Sequence, residues 1–286
     1  TLLNEYCLED VKKVEKIFSE PSPLDLSIKN GASKKSYFKQ LKGSSVDLSH
    51  FRLSKKVSLM ETEGYFSGDW WVQSLAASLP VKIAPMSFKG KTVLDVCCAP
   101  GGKSFQLADM GAILTSIDKS EKRLKLMRES LARLNFDFEL INVDVFDYKP
   151  KKMYDIILLD PPCTATGTIG KNPDLQFLNP LEKLDELMAI QQKMLERCAD
   201  WLKGDGFIIY SVCSLLKEEG ENQITKFLKN NNRFSAVDPK NVDNLKEQGI
   251  ESQKDKGIRV MPFFEEQIGG TEGFYIAYLQ AKGKNN

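Results

Sequence analysis

Three short stretches hold residues that can do chemistry. "LLDPPCTATGT" (158–168) ends an apolar run in Asp160, two prolines and Cys163, and "FIIYSVC" (207–213) ends another in Cys213. The third, "CCAPGGKS" (97–104), is a Gly-rich turn closing on Lys103 and a serine. An Asp-Pro-Pro followed by an aromatic residue would suit stacking of a base whose amino nitrogen is methylated. Here Cys163 takes the aromatic's place. Two converging thiols beside an acid suit a different reaction. Carbon 5 of cytosine is too poor a nucleophile to take a methyl group directly, but a thiolate added to carbon 6 makes it enamine-like. Asp160 could then serve the ring N3 and amino group, and a second thiol could help when the carbon-5 proton leaves and the first thiolate is expelled. The base must be presented out of any stack. Against this stands a plainer reading, two packed thiols at strand ends. Of the other cysteines, Cys198 lies on an apolar helical stripe as a small hydrophobe, and Cys7 is incidental.

The turn at 97–104 lacks the spacing of a dinucleotide fingerprint and of a P-loop. Its adjacent glycines, Gly101 and Gly102, still allow close backbone approach at a helix start. Asp118 ends the next strand, where a carboxylate can accept from a ribose diol. Asp144, at the strand end after that, could reach an adenine amine. Turn, diol acid and adenine acid describe an adenosyl cofactor without phosphate, which points to S-adenosylmethionine; the alternative is a sheet with no ligand.

The elements that must position these residues alternate in type. Residues 92–96, 112–118, 136–144, 153–160 and 207–213 read as strands, the third ending at Asp144. Helical patterns lie between them, with Leu124, Met127, Leu131 and Leu134 on one stripe and a further helix over 181–202. A helix from about 217 to 229 and a terminal strand in "EGFYIAYLQ" complete the pattern. Strand–helix alternation with short connections predicts a doubly wound parallel sheet, and ligands of such sheets sit outside the carboxyl ends of the strands. All the residues singled out fall at that edge. Residues 238–259, polar and weakly periodic, read as a loop. Residues 1–18 read as a helix, and 19–65, with a short strand in "LDLSIK", as a small appended module.

Composition narrows the function classes. The chain has 286 residues, net charge +1, six cysteines without a C-x-x-C pair, and one histidine, His50. Zinc ribbons, thioredoxin motifs and His-based catalysis are therefore disfavoured, and no metal is expected. Zinc-dependent deamination would need P-C-x-x-C and H-x-E, both missing. No apolar run is long enough for a membrane span, and no export signal is visible, so reduced thiols in the cytoplasm and no membrane contact are expected. The chain begins without Met, as a fragment or a chain that has lost its initiator does. Residues 29–56 carry eight Lys or Arg against Asp47, a local +7, which leaves −6 for the remainder. "KKSYFKQLK" (34–42) interleaves aromatics with bases, as RNA-contacting segments do; a solvated helix face is the alternative.

These stretches resemble the Sun-type RNA (cytosine-5) methyltransferases, in particular their bacterial RsmB-like ribosomal RNA branch. "LDVCCAPGGKS" is similar to that family's cofactor loop, "LLDPPCTATGTIGKNPD" to its Asp-Ala-Pro-Cys stretch and "YSVCSLLKEEGENQI" to its Tyr-x-Thr-Cys-Ser segment; "WWVQSLAA" and "EGFYIAYL" match the lead-in and the final strand. The resemblance implies a Rossmann-like α/β fold, with a mostly parallel seven-stranded sheet over 66–286 and a small α+β RNA-contacting module over 1–65. It implies Cys213 as nucleophile, Cys163 as the thiol assisting release, and Asp160 and Lys103 against the cytosine. Cys97, Cys98, Ala99, Pro100, Gly101, Gly102, Lys103, Asp118, Asp144 and Asp160 would line the S-adenosylmethionine site. The implied substrate is RNA, small-subunit ribosomal RNA first, with transfer RNA or a catalytically silent RNA-binding module as alternatives, and a monomer is expected. A DNA enzyme of this chemistry takes its nucleophile from the Pro-Cys position instead. Val212, Pro161 and Lys171 depart mildly from the family's usual Thr, Ala and Arg. RsmB-like proteins often carry a further N-terminal helical RNA-binding domain, which no part of this chain resembles.

Overall fold

The computed structural model describes residues 5–32, 43–47, 49–53, 57–178, 180–240, 249–253 and 256–283. Helix α1 (Leu8–Ser19) precedes a four-stranded antiparallel sheet of β1 (Leu24–Ile28), β2 (Gly43–Asp47), β3 (His50–Leu53) and β4 (Trp70–Val72), ordered β2-β3-β1-β4. The strand expected in "LDLSIK" is thus central to this sheet, whose fourth strand lies past residue 65. The basic segment 34–42 falls outside the described residues.

The large sheet is built from β5 (Thr92–Val96), β6 (Ile113–Asp118), β7 (Glu139–Asn142), β8 (Tyr154–Leu159), β9 (Leu202–Val212), β10 (Phe234–Val237), β11 (Ile250–Gln253), β12 (Gly257–Val260) and β13 (Phe274–Ala281). Its order is β11-β12-β13-β9-β8-β5-β6-β7, with β10 also on β13. The five strands from β7 to β9 are mutually parallel, as the alternating pattern predicts. Near-continuous apolar runs such as "TVLDV" and "YDIILL" form them because both faces are covered. Helices α5 (Leu184–Asp200) and α6 (Glu221–Asn230) pack on one face and α2 (Leu75–Lys82) and α3 (Gly102–Asp109) on the other.

Among the described residues the sheet has nine strands rather than the expected seven. Part of the excess is the expected loop at 238–259, which instead holds the antiparallel β11–β12 hairpin. Ile250, Ile258 and Val260 are buried while charged residues share the same strands, so the apolar pattern is short and diluted. β10 and β12 occupy the same edge of β13 end to end, pairing residues 278–281 and 274–276 respectively. The third parallel strand stops at Asn142, two residues before Asp144, and α6 starts at Glu221 after a turn rather than near 217.

Helix α4 (Glu121–Leu134) fastens the small sheet to the large one. Ser120 caps its start by accepting from Arg123 N at 3.4 Å, and Asn135 ends it in the left-handed region at φ 52°. Leu124, Met127 and Leu134 are fully buried, each contributing about 1.5–3 kcal/mol. At its last turn the Arg133 guanidinium lies over Tyr65 (4.3 Å) and Trp70 (5.6 Å) and donates to both their carbonyls. Lys29 Nζ donates to Leu134 O at 2.6 Å. Gly68, at φ +69°, leaves no room there: a Cβ would stand 2.4 Å from Arg133 O.

Candidate active site

A groove of about 470 Å³ opens at the carboxyl ends of β5, β6, β8 and β9. Cys97, Ala99, Asp118, Asp144, Asp160, Cys163 and Cys213 all line it. The carboxyl edge of the sheet therefore gathers, from residues up to 116 positions apart, most of the side chains singled out in the sequence.

At one end lies the Gly-rich turn. Cys97 follows β5 in the left-handed region (φ 62°), a conformation that costs a non-glycine residue about 1–2 kcal/mol. Gly101 caps α3 at φ +108°, where a Cβ would meet Phe105 at 2.7 Å and Met127 at 2.9 Å. Here the glycine is required by its backbone angle and by packing. Cys98 does not reach the groove: its thiol is buried 3.8 Å from Met127 Sδ in an apolar cluster. Pro100, Gly101 and Gly102 shape the turn rather than line the groove, and Gly102 backs onto Gln73.

The acids are held by nearby backbone. Asp118 accepts from Ala99 N (3.1 Å) and Ser120 N (2.8 Å), with Arg123 at 3.5 Å. Asp144 accepts from Phe146 N at 3.0 Å. Arg123 also donates to Ala99 O, joining the turn to α4. Arg123 and Phe146 both line the groove and were not singled out by spacing; each lies within five residues of an acid that was. Beneath the turn, buried Asp95 accepts from Ser104 at 2.5 Å, and burial pushes its carboxyl up to about 7. Burial, aided by Asp118 and Asp160, likewise pushes the Cys97 thiol up to about 12.

At the other end, Cys163 Sγ and Cys213 Sγ stand 3.4 Å apart, within a sulfur hydrogen bond. That bond and burial keep the Cys163 thiol well above its ordinary pKa. Asp160, directly after β8, accepts from Lys103 Nζ at 2.7 Å. Burial works against charge on Lys103, yet the Asp160 carboxylate holds its ammonium above the ordinary value. The Lys103 ammonium also lies 5.1 Å from the Phe274 ring centroid. An ion pair thus links the Gly-rich turn to the acid beside the thiols.

The chain segments bearing the two thiols are fixed by groups the sequence did not reveal. Glu219, fully buried, accepts from Thr164 N, one residue after Cys163. Arg259 of β12 donates to Ser214 O at 2.7 Å and forms a fork with Glu221. Tyr6 donates to Leu215 O at 2.7 Å. Among the described residues no group of three or more His, Cys, Asp or Glu side chains is arranged to hold a metal ion, and no helix is long and apolar enough to cross a membrane.

Comparison with known proteins identifies the family. The family model described as 16S rRNA methyltransferase RsmB/F matches residues 84–280. Ribosomal RNA small subunit methyltransferase B of Shewanella oneidensis is 34% identical over 202 residues, 69% of this chain and 44% of that protein. Its counterpart in Pseudomonas putida is 34% identical over 222 residues, 76% and 48% of the two chains. The chain thus spans about half the length of the curated relatives it matches. Among solved structures, a methyltransferase homolog protein from Pyrococcus horikoshii gives a TM-score of 0.75 at 25% identity, covering 96% of this chain and 91% of that one. NSun6 from the same organism gives 0.78 at 18% identity, covering 97% and 96%, a likeness of fold.

Proposed function

The chain belongs to the 16S rRNA methyltransferase RsmB/F family, and from that premise we propose that it transfers a methyl group from S-adenosylmethionine to carbon 5 of a cytosine in RNA, small-subunit ribosomal RNA foremost. The observation that carries the chemistry is the thiol pair, 3.4 Å apart, in one groove with Asp118 and Asp144. The groove's volume falls in the range for small-ligand sites. Its donor set suits an adenosyl group: an acid at the Asp118 strand end for a diol, Asp144 for an amine, and Ile117, Val145 and Phe146 as apolar walls. Bound there, S-adenosylmethionine supplies an electrophilic methyl group.

The protein's own groups do the rest. Cys213 Sγ bonds to carbon 6, and the ring's electron pair becomes available at carbon 5. Asp160, fixed by Lys103, serves N3 and the exocyclic amine, where charge develops in the adduct. After methyl transfer the carbon-5 proton leaves with help from Cys163. The 5,6 double bond re-forms and the Cys213 thiolate departs, so the nucleophile is regenerated.

Single substitutions separate the two thiol roles. Cys213→Ala is expected to abolish transfer of labelled methyl to 16S rRNA. Cys163→Ala is expected to hold RNA as a covalent adduct that survives denaturing electrophoresis. Methyl transfer retained by Cys213→Ala would sink the assignment.

A further inference from the structure

Glu219 has no part in the chemistry above, yet its side chain is among the most confined in the protein. It is 0% exposed. Its carboxylate accepts from Thr164 N with both oxygens (2.9 and 3.3 Å), from the Thr164 hydroxyl, and from Gln191 Nε2 at 2.9 Å. Gln191 Nε2 also donates to Pro162 O at 3.0 Å. The two residues flanking Cys163 are therefore tied to Glu219, one directly and one through Gln191. Glu219 belongs to the loop that leaves Cys213, and its own carbonyl accepts from Tyr210 OH at 2.7 Å. Further bonds cross between the two segments: Thr164 Oγ1 and Thr166 Oγ1 each lie 3.2 Å from Ser214 Oγ, and Gly167 N donates to Cys213 O at 3.0 Å.

The donors reaching this carboxylate are neutral. Burying a carboxylate among them carries a desolvation cost that an apolar side chain would not, so packing alone does not explain a glutamate. Oε1 accepts from both Thr164 N and Gln191 Nε2, and Oε2 takes the Thr164 hydroxyl. A glutamine would put an NH2 at the Oε2 position, facing the Thr164 N–H at 3.3 Å and reversing the bond to the Thr164 hydroxyl. We propose that Glu219 is the positioning residue of the thiol pair, holding the Cys163 turn against the Cys213 turn at the spacing that expulsion of the nucleophile needs. The inference rests on the cytosine-5 reading for its consequence in turnover, though not for its geometry.

Two measurements on the full chain test it. With a 16S rRNA transcript and S-adenosylmethionine, Glu219→Gln should raise the fraction of enzyme trapped as covalent adduct about tenfold and lower kcat by a similar factor, with KM for RNA unchanged. Adduct fraction and kcat per folded molecule equal to wild type would overturn it. Without RNA, diamide oxidises the two thiols to a Cys163–Cys213 disulfide, taking up both hydrogens itself to become the hydrazine. That step should be about tenfold slower in Glu219→Gln, and an unchanged rate overturns the proposal whatever turnover shows. If Cys163→Ala forms no Cys213-dependent adduct, the cytosine-5 reading fails while the diamide rate still decides the role of Glu219. Should Glu219→Gln fail to fold, Gln191→Leu, which removes the support to Pro162 O, decides by the same two readouts with the same expected direction.

Discussion

The two ends of the groove are held in different ways. At the end lined by the Gly-rich turn, Asp118 and Asp144 take their bonds from backbone amides two residues on or, for Ala99, from the adjacent strand end. At the thiol end, the supports come from far along the chain: Glu219 lies 55 residues from Thr164, Arg259 lies 45 from Ser214, and Tyr6 lies 209 from Leu215. One end is formed by local turns on parallel strands. The other depends on the antiparallel margin of the sheet, and hence on the fold being complete. Holding two side chains of separate segments at one spacing takes bonds that span the segments, whereas a single strand-end acid can be aimed by its own turn.

The contrast is sharpest at Arg259. Its fork with Glu221 is buried on both sides, so Arg259→Leu leaves an unpaired buried carboxylate and is expected to cost about 3–5 kcal/mol of stability, read by urea denaturation. The same variant should slow diamide coupling of Cys163 and Cys213 in the fraction that folds. A loss of cofactor affinity with intact thiol coupling would erase the distinction between the ends. Asp118→Ala should do the reverse. Removing a hydrogen-bonded acid at the diol position is expected to weaken S-adenosylmethionine binding by about 10- to 100-fold, or roughly 1.5–3 kcal/mol, in calorimetry, with the diamide rate unchanged.

Asp95 gives the smallest effect. Burial pushes its folded carboxyl up to about 7 from an ordinary 3.8, so the folded state holds its proton more tightly than the unfolded chain. Its contribution is fully present below about 4 and is lost as pH rises toward 7. Asp95→Asn keeps an acceptor for Ser104 and should flatten that decline, raising Tm at pH 8 by about 2 °C while leaving both ends of the groove intact. An unchanged pH dependence of Tm would show that Asp95 is not the group responsible.

Legibility in the sequence follows the same division. Strand-end acids, the Gly-rich turn and the two thiols could be found because each lies within a few residues of an apolar run whose end marks the binding edge. Arg123 and Phe146 were within reach of the same rule, standing just past Asp118 and Asp144. Glu219 was not, since "KEEGEN" looks like a solvated charged turn and only the fold shows it enclosed. Arg259 was hidden similarly in a short hairpin whose charged residues outnumber its apolar ones. In the Gly-rich turn, Cys98 shares the motif with Cys97 but its thiol packs beside Met127 in the α4 cluster.

The attachment of the small sheet to α4 has a consequence for reach. Arg123, which lines the groove, and Arg133, which grips Tyr65 and Trp70, stand ten residues apart on one helix, or about 15 Å at 1.5 Å per residue. A helix of this kind is a stiff spacer, unlike a tether whose ends wander. Anything bound on the small sheet would therefore be presented to the groove at a set offset.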